Sequence, residues 1–440
     1  MRGLRQTATA SIIATLAVFS ATNASAAQGG PATVEVLRSW YKLSLALVRH
    51  TPTYTPPVAS RSLAYIGITT FEAAASGGAG LRTLAGQLNG LQHVPKREPG
   101  RTYDEALVMD AALSDVVQNL FSNTGPTGQR ALAAEDAKLR AEVVAGLPED
   151  VAARSEAYGR SVGEHIWAWS LTDGGATIEN MGFPLHYELR KGPAFWVPTS
   201  LILQQQTPLL PDWGKNRTFV TPNGAACPLA SAPEYSEDKG SEFYKQALEV
   251  YQTRQTLTAE QRDIAKFWAD DAMLSVTPPG HWISIALQVL AKQDADVART
   301  VDVLARVGVA VSDGFVGCWN AKYQYDQVRP VTYIRRFIDP KWEPLLITPP
   351  FPELPSGHST QTGAAATVMT QLFGEDFAFT DETDRSDGLP PRSFPSFWAA
   401  AREAGISRLY GGIHFHAAVE LGLDQGRCIG GYVNALKTKN

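Results

Sequence analysis

The sequence predicts an all-α fold, on three observations. Apolar residues recur at the helical period in segment after segment. Strictly alternating strand patterns are scarce. Several periodic runs open on helix-capping residues, such as Thr258 before Ala259-Glu260-Gln261, a capping box with Gln261 at the third position.

The elements follow in order. Val34, Val36, Leu37, Trp40, Tyr41, Leu45 and Val48 mark a first amphipathic helix, closed by Pro52. Helical periods continue at 58–76, 102–122, 127–145 and 149–172. Residues 174–236 then break the pattern with Pro184, Pro193, Pro198, Pro208, Pro211, Pro222, Pro228 and Pro233. Because this stretch also carries Trp196, Trp213, Phe219 and Tyr235, it reads as an ordered excursion packed on the helices, not a solvated linker. Helices resume at 241–255, 259–274, 281–292 and 295–316, and a second irregular stretch covers 338–358. Periods at 359–373, 394–409 and 416–437 complete the chain, and no internal repeat is visible.

With 440 residues, 44% hydrophobic and 19% charged, the chain has enough apolar content for a sizeable core and is not of disordered composition. Lysine and arginine number 39 against 44 acidic residues, a net charge of −5, so a general nucleic-acid binder is excluded for want of a basic stripe. Beyond the first thirty residues no apolar run is long enough to span a bilayer, which excludes a polytopic membrane protein. The first 26 residues read as a signal peptide: Arg2 and Arg5, an apolar stretch from Ser11 to Phe19, then Ala24-Ser25-Ala26 as a cleavage site. The expected location is secreted or periplasmic, and cleavage would take the net charge to −7. Cys227, Cys318 and Cys428 are too few for a disulfide scaffold; one pair can close in an oxidising compartment, with Cys318 and Cys428 preferred because both lie beside the motifs below, and three buried thiols are the alternative.

Three clusters in the last third carry the chemistry. Lys322 and Arg329, followed by Pro330, stand two helical turns apart, so both cations can share one helix face. Pro355-Ser356-Gly357-His358 feeds a helix N-terminus, whose free N–H groups and positive dipole end suit an oxyanion. Ser407-Arg408 and His414 flank the turn at Gly411-Gly412. Singly each has a structural reading, as a solvated face, a cap or a core histidine. Together they supply three cations, a hydroxyl, helix N–H groups and two histidines: a site for a tetrahedral or trigonal-bipyramidal oxyanion.

The order K-x6-R-P, P-S-G-H, S-R-x5-H over 322–414 resembles the signature shared by vanadium-dependent haloperoxidases and type 2 phosphatidic acid phosphatases. The phrases Thr348-Pro349-Pro350-Phe351-Pro352-Glu353-Leu354, Phe267-Trp268-Ala269-Asp270 and Thr277-Pro278-Pro279-Gly280-His281-Trp282 look like the secreted bacterial haloperoxidase branch. The resemblance implies a helical-bundle architecture, with 27–300 as scaffold and 301–440 as the catalytic region packed with it in one globular unit. It implies vanadate as cofactor, with Lys322, Arg329, Ser356, Gly357 and Arg408 holding its equatorial oxygens and His414 bonding the metal through a neutral ring nitrogen. His358 would be the acid–base group, Lys322 would polarise the bound peroxide, and Trp319 and Phe351 would line the halide side. Hydrogen peroxide, halide and a small organic acceptor are the implied partners, and phosphate is a competing oxyanion. Nothing in the sequence selects the halide or an oligomeric state.

One departure stands out. The longer family pattern ends H-x3-D, and this chain has Ala418 there, with Glu420 poorly placed to substitute. A backbone carbonyl is the expected partner for the other N–H of His414, and a phosphatase route through a His414 nucleophile is correspondingly disfavoured. That soluble acid phosphatase is nonetheless the second reading, and a non-catalytic oxyanion-binding protein the third. A zinc site of His414, His416 and Glu420 is the weakest, and His281 reads as a buried, hydrogen-bonded residue without assigned role.

Overall fold

The computed structural model describes residues 31–78, 80–200 and 202–440; residues 1–26, expected to be a signal peptide, lie outside the described residues. The first half holds α1 (Pro31–His50), α2 (Pro56–Ala75), α3 (Glu105–Leu120), α4 (Pro126–Val144), α5 (Glu149–Ser170) and the single turn α6 (Gly175–Ile178). After the excursion come α7 (Glu242–Thr256), α8 (Ala259–Phe267), α9 (Thr277–Lys292), α10 (Val297–Tyr325) and α11 (Pro330–Phe337). The chain ends with α12 (Gly357–Phe373), the hairpin β1 (Phe379–Asp381) and β2 (Arg392–Phe394), α13 (Phe397–Tyr410) and α14 (His416–Asn434). The fold is all-α apart from that antiparallel pair, as the periodicity predicts. No helix among the described residues is long and apolar enough to cross a membrane.

The 29-residue α10 runs through the centre, packed on α2, α9, α12 and α14. It crosses α2 backbone to backbone: a Cβ on Gly67 would stand 2.8 Å from Ala305 Cα. Helix α14 presses equally closely on α12, where a Cβ on Gly426 would stand 2.2 Å from the Thr360 carbonyl. The second contact holds the start of α12, which heads the site, against α14.

Four expectations need correction. The helix expected at 295–316 runs on to Tyr325, where Asp326 in the left-handed conformation (φ 52°) turns the chain. Lys322 is therefore on α10, whereas Arg329 is the residue before α11, so the two cations converge across a turn and not along one helix face. The helix expected at 259–274 stops at Phe267, where Arg408 donates to the carbonyls of Ala265 in α8 and of Trp268 just after it, a cation closing a helix C-terminus. The disulfide is Cys227–Cys428, and Cys318 is a free, buried thiol. Cys318 faces inward from α10 toward the Pro355 carbonyl, while Gln425 on α14 donates to the Cys227 carbonyl and draws that loop beside Cys428.

The excursion is ordered and packed, as its aromatics imply. Buried Asp313 on α10 accepts the backbone N–H groups of Phe219, Val220 and Thr221. Trp196 and Trp213 are fully buried.

Candidate active site

Helix α12 starts directly on the motif. Ser356 is its N-cap, its hydroxyl accepting from the Ser359 amide, and its own N–H is held by the Ala418 carbonyl on α14. The N–H groups of Gly357 and His358 have no acceptor among the described residues, leaving the positive end of the helix free to bind an anion.

Three cations surround that end. Arg329, fully buried, donates from Nε to the Phe351 carbonyl at 2.7 Å and from Nη1 to the Ile413 carbonyl at 2.9 Å. Arg408 is aimed by Ser407, whose hydroxyl accepts from Nε at 2.9 Å, and its Nη1 has no acceptor among the described residues. Burial pushes both guanidinium groups down to about 10. Lys322 differs: its ammonium donates to the carbonyls of Pro352 (2.9 Å), Glu353 (3.0 Å) and Pro355, which accounts for all three of its hydrogens. In this structure Lys322 shapes the loop entering α12, and contact with an oxyanion requires one carbonyl to be exchanged. Burial, with the charge of Arg329 beside it, pushes Lys322 down to about 7.

His414 Nδ1 lies 2.8 Å from Oε1 of Glu353, and its Nε2 lies 3.2 Å from Arg329 Nη1. A guanidinium only donates, so Nε2 carries the lone pair and Nδ1 carries the hydrogen that Glu353 accepts. Burial, reinforced by Arg329, Lys322 and Arg408, holds the imidazole pKa well below the usual range. The ring is thus neutral with Nε2 as its ligand atom, the form that bonds a metal.

Glu353 is the residue sequence reasoning missed. It supplies the carboxylate expected at position 418, and the expected backbone-carbonyl partner for His414 is corrected accordingly. Its Oε1 also accepts the Phe415 N–H at 2.9 Å, and burial pushes its carboxyl up to about 7. The available signal was a lone charged residue in the apolar phrase Thr-Pro-Pro-Phe-Pro-Glu-Leu-Pro. If the pair works as a metal–imidazole–carboxylate unit, Glu353→Gln lowers vanadate affinity by about tenfold. Its melting temperature is then unchanged or higher, because a buried titrating acid is gone; equal affinity by calorimetry would reduce Glu353 to a packing role.

His358 keeps 18% of its side chain accessible, yet its Nε2 is buried without a partner, 3.8 Å from Asp270 Oδ2. Burial, with the charges of Arg408, His281 and Lys322, holds its pKa well below the usual value. Of the two aromatics, Trp319 is buried, its Nε1 donating to the Leu209 carbonyl, and Phe351 lies in front of it with ring centroids 5.0 Å apart. Arg329 sits 4.9 Å from the Phe351 ring centre. The zinc reading fails on geometry: His416 is half-buried and bonded to Glu249, whereas His414 is buried on Glu353.

The donor set fits vanadate: two guanidinium groups, an ammonium, two free helix N–H groups, the Ser356 hydroxyl and one neutral imidazole nitrogen converge, with His358, whose Nε2 has no hydrogen-bond partner among the described residues, at hand. No curated protein matches the chain. A family model, the second helical-bundle domain of the VCPO type, matches residues 302–439. Among solved structures, a holo bacterial vanadium-dependent chloroperoxidase shares the fold, with TM-score 0.65 at 17% identity over 88% of this chain and 93% of that one. The first bacterial vanadium-dependent iodoperoxidase superposes with TM-score 0.84 at 36% identity, covering 92% of this chain and 97% of its own. Identity at that level over almost the whole of both chains, with the oxyanion shell assembled around one neutral imidazole, places this chain in the vanadium-dependent haloperoxidase family.

Proposed function

We propose that the protein oxidises halide with hydrogen peroxide to hypohalous acid at a vanadate held by His414. The observation carrying this reading is the His414 ring itself: neutral, backed by Glu353, with its Nε2 lone pair facing Arg329 at the open end of α12. Vanadate, when bound, supplies a Lewis acid that activates peroxide toward halide. Arg329, Arg408 and the N–H groups of Gly357 and His358 neutralise its oxygens by charge-assisted and backbone hydrogen bonds, together with Ser356 and Lys322. His358 takes and returns the proton, and its low proton affinity makes it a strong donor once protonated. Phe351, backed by Trp319, closes the halide side with a ring edge that attracts anions. The similarity to the iodoperoxidase supports iodide as the halide. The pattern of residues 1–26 supports export.

Glu353 also favours a second reading. A histidine held by a carboxylate is what a phosphoenzyme route needs, so a phosphatase activity with His414 as nucleophile has the group that Ala418 lacks. Purified protein assayed for peroxide-dependent oxidation of iodide, bromide and chloride, with and without vanadate, and for phosphate-ester hydrolysis, separates the two. Vanadate-dependent halide oxidation is expected; ester hydrolysis alone would overturn the haloperoxidase reading.

A further inference from the structure

Behind His358 lies a buried cluster that the oxyanion site does not use. His281 on α9 is fully buried, with Nδ1 2.9 Å from Asp270 Oδ1 and Nε2 2.7 Å from Asp381 Oδ2. It also stacks on Trp268, ring centroids 4.7 Å apart. Burial opposes its charge, but a carboxylate on each nitrogen overcomes this and raises its pKa well above the usual value. His281 is therefore a fixed cation, and its hydrogen bond is the only one reaching the Asp270 side chain among the described residues. Asp270 itself has φ 50°, a left-handed position rarely adopted by residues other than glycine, so the chain holds it in strained backbone that points its second oxygen at His358 Nε2.

Asp384 completes the cluster. It is 6% exposed, makes no side-chain hydrogen bond among the described residues, and a carboxylate oxygen of it lies within 4.8 Å of ligand atoms of Asp270 and His281. It opens the turn Arg385–Asp387, where Asp387 reaches solvent in an ion pair with Arg49 on α1. The reaction proposed above consumes protons: one halide, one hydrogen peroxide and one proton give one hypohalous acid and one water. Two electrons pass from the halide to the peroxide O–O bond.

We propose that Asp384 and Asp270 form a proton relay that feeds His358 from the side away from the halide, with the Asp381–His281 pair as its fixed support. A proton leaves Asp384 for Asp270, passes from Oδ2 to His358 Nε2, and leaves the other ring nitrogen; Asp384 is refilled from solvent beside Asp387. Nε2 is the buried nitrogen of that ring, so the accessible part of the imidazole lies elsewhere on it. The charged groups facing Asp384 are Asp270, Asp381, Asp387 and the cation His281; those facing Asp270 are His281, Arg408, Asp271 and Asp384; those facing His358 are Asp270, Arg408, His281 and Lys322. Burial and the neighbouring Asp270 push the Asp384 carboxyl up to about 7. A donor titrating there holds its proton below neutral pH and loses it above, so supply fails as pH rises through that value.

The relay rests on the haloperoxidase reading, and Asp384→Asn tests it. Asparagine resembles the protonated acid, so the fold and the vanadate affinity stay as in the parent. In the protein without vanadate, the infrared carbonyl band of a protonated carboxyl that disappears as pH rises through about 7 is expected to be lost in the variant. The turnover number for halide falls by about tenfold, with KM for halide unchanged, and the pH limb near neutral disappears. An unchanged infrared band, or a parental rate and pH profile, would overturn the relay. A parent enzyme that oxidises no halide would overturn the function instead, and the infrared comparison would still decide whether Asp384 holds the proton.

Discussion

His414→Ala abolishes vanadate binding and leaves the protein folded. The turn that presents the ring is built without it: Gly412 takes a φ of 76°, and the backbone is closed by Gly411 N–H to Ser407, Gly412 N–H to Leu409 and Ile413 N–H to Arg408. Removing the ring leaves Glu353 bonded to the Phe415 amide, and a carboxyl already pushed up to about 7 readily stays neutral there. No uncompensated buried charge is created, so the melting temperature should change little. The affinity loss should exceed the roughly 10–100-fold typical of an outer-shell partner, because the ligand atom itself is gone. Calorimetry with vanadate and a thermal melt measure both quantities. Near-parental affinity would mean that vanadium is bonded elsewhere.

The fold was largely legible because most helices keep one face on the core and that periodicity survives in the sequence, while α2 and α10 are buried on nearly every side. The helix boundaries that slipped lie at the site. Helix α8 ends early where Arg408, about 140 positions away in sequence, donates to the carbonyls of Ala265 and Trp268, and α10 runs long because its end carries Lys322 into the core. Neither contact is local, so neither shows in a window of sequence. Helix α11 was missed altogether: eight residues opening on Pro330 are too short to set a period.

Site residues divide in the same way. Lys322, Arg329, Ser356, Gly357, His358, Arg408 and His414 lie around the start of α12, although Lys322 and Arg329 reach it from either side of a turn and not from the one helix face their spacing implied. Glu353 and Asp270 were inside quoted phrases but had no role, because a carboxylate's partner is fixed by tertiary approach, not by sequence distance. The Cys318–Cys428 preference failed for a related reason. Proximity to a motif said nothing of direction, and Cys318 faces into the core while Cys227 arrives from the excursion. Lys322 shows the limit of motif reading most sharply, since its charge is where expected and its hydrogens are already bonded to carbonyls.

His358→Ala separates binding from turnover. Vanadate and phosphate should still bind with near-parental affinity, because Arg329, Arg408, the α12 N–H groups and His414 Nε2 all remain, and none is hydrogen-bonded to the His358 ring. The turnover number for halide should fall by roughly a hundredfold or more, the loss of an acid–base group. KM for halide should stay near parental, since Phe351 and Trp319 are untouched. Phosphate should inhibit both the residual activity and the parent competitively with vanadate, because both anions need the same cations. The contrast with His414→Ala is the decisive part: one histidine removes the cofactor, the other leaves it bound and idle. Equal collapse of vanadate affinity in both variants would show that His358 is a structural support of the shell, and the proton would then have to reach the oxidant by another route.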